Sequence, residues 1–301
     1  MTEAKQTTSI VLLTIIYQLF ISPVWGVAPW TSQMPITLQL VLTQILAFIV
    51  PIVFYFFITK KPVKATLRLY PIHWKNVILI VLMSLLIQPL MSLLSFLASL
   101  LFPNSVAEII SQSSEFSTVP MMIISVGVMP AICEELFFRG VVFSGYRFIS
   151  TVKACCITGL LFGIIHMDVQ QFLYTFALGS LFCVLVYHTN SILASVIAHF
   201  TINATQVLLA FSQMKNAESM VELPELTLTQ QFMSIGTITL LSLPLLAGCI
   251  WLFYKRNANP ILKDIVFEGE MAVQESKIGS IPFALIILIY IVVAVVLPFV
   301  L

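Results

Sequence analysis

Formal charge is scarce in this chain: 9% of its 301 residues are Asp, Glu, Lys or Arg, and none of these four occurs between Gln6 and Thr59. With 59% hydrophobic residues and a mean hydropathy of +1.05, the chain cannot be a water-soluble domain and reads as a membrane protein. Fourteen basic residues against thirteen acidic ones leave a net charge of +1, too little to hold a phosphate backbone, so nucleic acid is excluded as a main partner. Cysteine is sparse too. Cys133, Cys155, Cys156, Cys183 and Cys249 stand in apolar runs without a CxxC pair, which argues against a thiol-rich zinc site or a disulfide framework and leaves small core residues.

What the chain has is apolar length. The charge-free stretch up to Thr59 alone accommodates two helices of about 20 residues each. The pattern predicts an all-α fold, a polytopic transmembrane helix bundle of about nine spans: 8–28, 36–58, 77–101, 120–146, 154–172, 173–187, 191–213, 229–254 and 281–301. Asp168, Gln170 and Gln171 are the only break between the fifth and sixth spans, and the sixth is expected to be the short one. Twelve of the fourteen basic residues fall in alternate loops: Lys5; Lys60 to Lys75; Arg147 and Lys153; Lys255 to Lys277. By the positive-inside rule these loops are cytoplasmic, placing the N-terminus inside and the C-terminus outside a cell membrane. The opposite loops carry Glu108, Glu115, Asp168, Glu218, Glu222 and Glu225 with Lys215 as their one basic residue. Loop 60–76 mixes basic and apolar residues and reads equally as a segment along an anionic surface or as a solvated linker. Loop 255–280, the longest polar stretch, reads as a connector.

Ionisable groups inside the spans are the informative positions, because each costs several kcal/mol, by estimates from about 3 to above 10, unless paired or used. Span four carries Glu134, Glu135 and Arg139; span five carries Phe162 and His166; span seven carries His199 and Asn203. Glu135 and Arg139 stand four apart with the acid first, the arrangement that favours an ion pair on one helix face. Glu134, rotated by about 100°, is then free to face elsewhere and to act as a base. Pro130 cannot donate to the carbonyl of Val126, which frees that oxygen and kinks the helix. Counted at 1.5 Å per residue from Arg147, Lys153 and His188, the polar groups come to about 16 to 22 Å depth, so all four can meet at one level.

The ordered set Glu134-Glu135-Leu-Phe-Phe-Arg139, Phe162-Gly-Ile-Ile-His166 and His199-Phe-Thr-Ile-Asn203 resembles the CPBP family of intramembrane proteases. That family includes CAAX prenyl endopeptidases of the Rce1 type and bacterial immunity-type and peptide-processing proteins. The resemblance covers about 120–213, and the flanking spans carry nothing matched to it. It implies three parts: N-terminal helices and a cytoplasmic loop in 1–118, a catalytic helical core in 119–213, and C-terminal helices in 214–301. It further implies a glutamate-dependent endopeptidase in which Glu134 activates water with help from His166. His199 and Asn203 would stabilise the oxyanion, with Glu135, Arg139 and Phe162 in support. Its expected partners are membrane lipid and a peptide or membrane-anchored protein substrate. Zinc could be held by two histidines and a carboxylate, but Asn is a poor zinc ligand and an apt oxyanion donor, which favours a site without metal or other cofactor.

Missing motifs narrow the chemistry. There is no HExxH, GxGD or GxSG, which excludes zinc, aspartyl and serine intramembrane proteases of those types. Ser144-Gly145 is the nearest approach to a serine motif and reads as packing. Taken singly, each histidine is more simply a core histidine, and Glu135 with Arg139 a structural pair. Two rival functions remain at this point. A proton-coupled transporter would need inverted repeats and a polar path through both leaflets, and neither is visible. A non-catalytic scaffold or bacteriocin-immunity-type binding protein would keep the same motifs.

Overall fold

The computed structural model describes residues 2–28, 31, 33–102, 117–217, 226–258 and 279–299. Among them the architecture is entirely helical. The principal helices are α1 (Glu3–Val24), α2 (Ile36–Thr59), α3 (Trp74–Ser99), α4 (Val119–Gly145), α5 (Thr151–Ile165), α6 (Val169–Thr189), α7 (Leu193–Gln213), α8 (Leu228–Arg256) and α9 (Ile281–Val296). Seven of them are long and apolar enough to cross a membrane; α5 and α9 are shorter. The loop acids Glu108, Glu115, Glu218, Glu222 and Glu225 and most of the 255–280 connector lie outside the described residues.

The expected order of the fifth and sixth spans is reversed in length. Residues 154–172 were assigned to one span, yet α5 stops at Ile165 and α6 already begins at Val169, running 21 residues. The cause is local capping. Asp168 Oδ1 accepts from the backbone N–H of Gln170 (2.8 Å) and Gln171 (3.4 Å), satisfying donors that a helix start leaves open. Met167, with φ of +50°, turns the chain between the two helices.

Helix α4 forms the centre: 56% of its most apolar window is buried, against 17% for α8 at the periphery. It packs on α7 and α2, while α5 and α6 form an antiparallel pair beside it and α3 lies against α6, α7 and α8. Without water between apolar helices and lipid tails of equal hydrophobicity, close backbone approach is what holds such pairs. Gly159 on α5 and Gly179 on α6 supply it. A Cβ at Gly159 would lie 2.7 Å from Ser180 N and 2.8 Å from Phe176 O, and one at Gly179 would lie 2.9 Å from Gly159 Cα.

The polar ends gather at one end of the bundle. Glu3 accepts from Lys61 and, at 2.9 Å, from Arg147, joining the start of α1 to the ends of α2 and α4. Asn76 and Asn257 join α3 to the end of α8 (3.0 Å), and His188 Nδ1 meets Asn257 O at 3.1 Å. Loop 60–76 is anchored at its middle, while Val63, Leu69 and Trp74 are exposed. Leu67 and Arg68 are buried, the Arg68 guanidinium donates to Arg139 O (2.8 Å) and Ser144 Oγ (3.1 Å), and Ile192 N donates to Arg68 O (3.1 Å). Burial without a charged partner pulls that guanidinium down to about 10. The loop thus plugs the polar end, and Ser144 is a packing residue that also ties it to Thr66 O (2.9 Å).

Replacing Gly159 by Ala should push α5 from α6 and cost about 1 to 3 kcal/mol, because beside the Ser180 hydroxyl, which can turn, it meets Ser180 N and Phe176 O, which are backbone and cannot. Gly248, on α8, has open space around it, so Gly248→Ala should be neutral or slightly stabilising. Thermal unfolding of both variants in detergent checks the pair, with the lower melting point expected for Gly159→Ala.

Candidate active site

The side chains singled out in the sequence come together around one cavity of about 320 Å³, walled by α3, α4, α6, α7 and the end of α5. Glu134, Phe162, His166, His199 and Asn203 all line it. Glu135 and Arg139 lie behind the wall, fully buried. The remaining wall is apolar at Met91, Leu178 and Ile202 and carries uncharged polar groups at Gln171, Tyr174 and Gln206.

Two turns of wider π geometry, Ile123–Val128 and Leu136–Val142, bracket the α-helical segment Met129–Glu135 within α4. Such turns occur in helices chiefly where a site needs its groups redirected. Pro130 frees the carbonyl of Val126, and Asn203 Nδ2 donates to that oxygen at 2.9 Å. An orphan acceptor created on α4 is therefore satisfied from α7, and one of the two amide hydrogens of Asn203 is committed to it.

Adjacent carboxylates have different surroundings. Glu135 Oε1 accepts from Arg139 NH1 at 2.9 Å and from His199 Nδ1 at 2.8 Å. Arg139 also donates to Gly179 O at 3.1 Å, and its guanidinium lies 4.3 Å from the ring centre of Phe162 and 5.1 Å from that of Phe182. Glu134 faces the other way: its Oε1 accepts from Gln44 Nε2 on α2 at 3.0 Å, and its Oε2 has no hydrogen-bond partner in the protein.

The partners fix both imidazole tautomers. His166 caps the end of α5, and its Nδ1 lies 2.7 Å from Phe162 O. A carbonyl only accepts, so Nδ1 carries the hydrogen and Nε2 of the neutral ring is an acceptor. His199 Nδ1, donating to the Glu135 carboxylate, leaves its Nε2 an acceptor by the same reasoning. The Phe162 ring meets both imidazoles edge to face, at 5.0 Å and 6.0 Å between ring centres, and so spaces them. Among the described residues no group of three or more His, Cys, Asp or Glu side chains is gathered closely enough to hold a metal ion.

Sequence reasoning missed Gln44. An amide in the middle of an otherwise apolar, charge-free span was the signal available for it. It missed equally that Glu135 serves two partners, since only the fold brings α7 to α4.

Arg139→Leu should strand a buried carboxylate and an acceptor carbonyl at Gly179 and cost about 3 to 5 kcal/mol. Loss of membrane abundance and a lowered melting point are expected. Arg139→Lys should not recover them, lacking the planar fork that meets Glu135, Gly179 O and the two rings together.

Comparison with known proteins bears on the same segment. Residues 116–205 match the family model described as type II CAAX prenyl endopeptidase Rce1-like. A Bacillus subtilis (strain 168) protein named "Putative membrane peptidase YdiL" is 31% identical over 99 residues, which is 33% of this chain and 41% of that relative. No solved structure matches the chain. The four motif residues that line the cavity, Glu134, His166, His199 and Asn203, all fall inside the matched segment, so the likeness to the Rce1-like family and the cavity concern the same residues.

Proposed function

We propose that the protein is an intramembrane endopeptidase that cleaves a membrane-associated or lipid-modified peptide by glutamate-activated water. The observation that carries this reading is the pair of acceptors, Glu134 and His166 Nε2, on the wall of one cavity with an amide donor, Asn203. A water between Glu134 and His166 has two acceptors for its two hydrogens, which aims its lone pair outward at a peptide carbonyl. As the C–O bond forms, the proton passes to Glu134 and the carbonyl oxygen becomes the oxyanion. Asn203 meets it with the amide hydrogen not given to Val126. His199 donates from Nε2 only when that atom is protonated, with the Glu135 carboxylate at Nδ1 balancing the imidazolium charge. The proton on Glu134 then goes to the departing amine, and the C–N bond breaks. Glu135, Arg139 and Phe162 hold the ring of His199 and the helix bearing Glu134 in place.

The chemistry as written uses no metal, because Glu134 supplies the base and Asn203 the oxyanion donor. The working unit is the helical core 119–213, framed by the helices of 1–118 and 214–301. The N-terminus faces the cytoplasm of a cell membrane, as the basic loops direct. Labelling Thr118→Cys and Ser150→Cys with an impermeant maleimide tests that orientation: the position at 118 should react from outside and the one at 150 only after permeabilisation.

Glu134→Gln keeps size and hydrogen bonding but cannot accept the water proton. It should abolish cleavage while leaving melting unchanged; proteomics of membranes with wild type and this variant identifies the peptides affected, and full activity in Glu134→Gln ends the reading. Asn203→Ala should lower turnover about a hundred- to a thousandfold and also lower the melting point, because Val126 O loses its partner. Chelators should have no effect on the purified protein.

A further inference from the structure

Behind the cavity wall stands a contact that the catalytic reading above does not use. Gln44 is the last residue of an α-helical stretch of α2 and immediately precedes a π turn, Ile45–Ile49. Its amide does not line the cavity; it reaches the rear of Glu134, ninety residues along the chain, at 3.0 Å. An amide in an apolar span needs a partner, and nearby backbone carbonyls are the usual local choice, as Thr43 shows by donating to Gln39 O. Gln44 donates to a carboxylate on another helix instead.

We infer that Gln44 is the positioning residue of Glu134. The inference rests on the protease reading for its consequence in turnover, but its geometric part does not. A carboxamide faces a carboxylate oxygen with its NH₂ side, so the contact occupies Oε1. Occupying Oε1 leaves Oε2 as the free oxygen and fixes which way it points. Without the amide, the carboxyl turns about its terminal torsion, a broad and shallow one, and both oxygens are open to reaction. Phe48, one π turn further along α2, packs edge to face on Phe137 of α4 (5.4 Å, 64°) and holds the two helices at this register. The general base is thus set from a helix outside the segment that carries the motifs.

The test needs no substrate at first. Dicyclohexylcarbodiimide, an apolar reagent to which carboxyls in membrane proteins add across a C=N bond to give, after O-to-N acyl shift, a stable N-acylurea, is applied to detergent-purified protein, and the adduct at Glu134 is quantified by mass spectrometry, with Glu134→Gln as the blank. Gln44→Met, close in size and without a donor, should raise the labelling rate at Glu134 about tenfold, the effect of one hydrogen bond to a charged group. On a cleaved peptide found by the proteomics above, the same variant should lower kcat about ten- to a hundredfold with KM within about twofold, as loss of orientation alone would do. If Gln44→Met fails to fold, Gln44→Glu substitutes. It should place a second carboxyl against Glu134, so that the two share one proton and adducts form at both positions. Unchanged labelling in folded Gln44→Met, or no adduct at position 44 in Gln44→Glu, overturns the inference. Faster labelling in a protein that cleaves nothing upholds the positioning and sinks the protease reading, so the two failures are distinguishable.

Discussion

The Glu135 carboxylate is the point on which the structure turns. Its Oε1 holds Arg139 within α4 and His199 on α7, while Arg139 reaches on to the Gly179 carbonyl of α6. Three helices that share no hydrophobic drive to associate in lipid are therefore cross-linked through one buried charge pair. Neither charge could stand alone there, since an uncompensated buried ion costs several kcal/mol. The pair disfavours alternative registers of α4 against α6 and α7, because a shift by one residue would turn Arg139 away from the Gly179 carbonyl and the ring of Phe182, and Glu135 away from His199. The close approach of Gly159 and Gly179 serves the same end, bringing the Gly179 carbonyl within reach of Arg139.

From that anchor the division of labour between neighbours follows. Glu135 is locked by its partners and can neither rotate nor give up its charge without breaking the bundle. Glu134, one residue away and about 100° round the helix, meets an amide and a cavity and takes no part in the cross-link. Pro130 adds a second coupling. Freeing the Val126 carbonyl brings Asn203 across from α7, so the residue proposed to meet the oxyanion is held by the defect in the helix that carries the base.

Much of this was legible in the residues. Glu135 four before Arg139 announced an ion pair, and the three polar pairs at helical spacing on successive apolar runs announced a shared level in the membrane. The four motif residues Glu134, His166, His199 and Asn203 all line one cavity, where that arithmetic could bring them. The order of the short and long helices was not legible, because the polar residues Asp168, Gln170 and Gln171 mark a break in 154–187 but not which side of it the helix starts, and only the capping geometry of Asp168 decides that. The burial of Arg68 was not legible for a related reason: an arginine in a basic loop looks solvated, and its burial depends on acceptors at Arg139 and Ser144 that are distant in the chain. Gln44 failed to stand out because amides carry no formal charge, and hydropathy weighs a glutamine in a membrane span as one polar residue among many.

Arg68 closes the physical argument. Its guanidinium ends on the backbone carbonyl of Arg139, so a cation from the loop terminates the π turn in which the buried arginine sits. A π turn has weaker, longer-looped hydrogen bonding than the α-helix around it, and a charged donor at its carbonyl offsets that loss. The polar end of the bundle and the cavity are thereby one mechanical unit: the plug of loop 60–76 braces the turn, the turn aims Arg139, Arg139 fixes Glu135, and Glu135 orients the imidazole of His199. Each link is a hydrogen bond to a charged group in surroundings of low polarity, where such bonds are strongest. The cavity accordingly needs no rigid scaffold beyond the helices themselves.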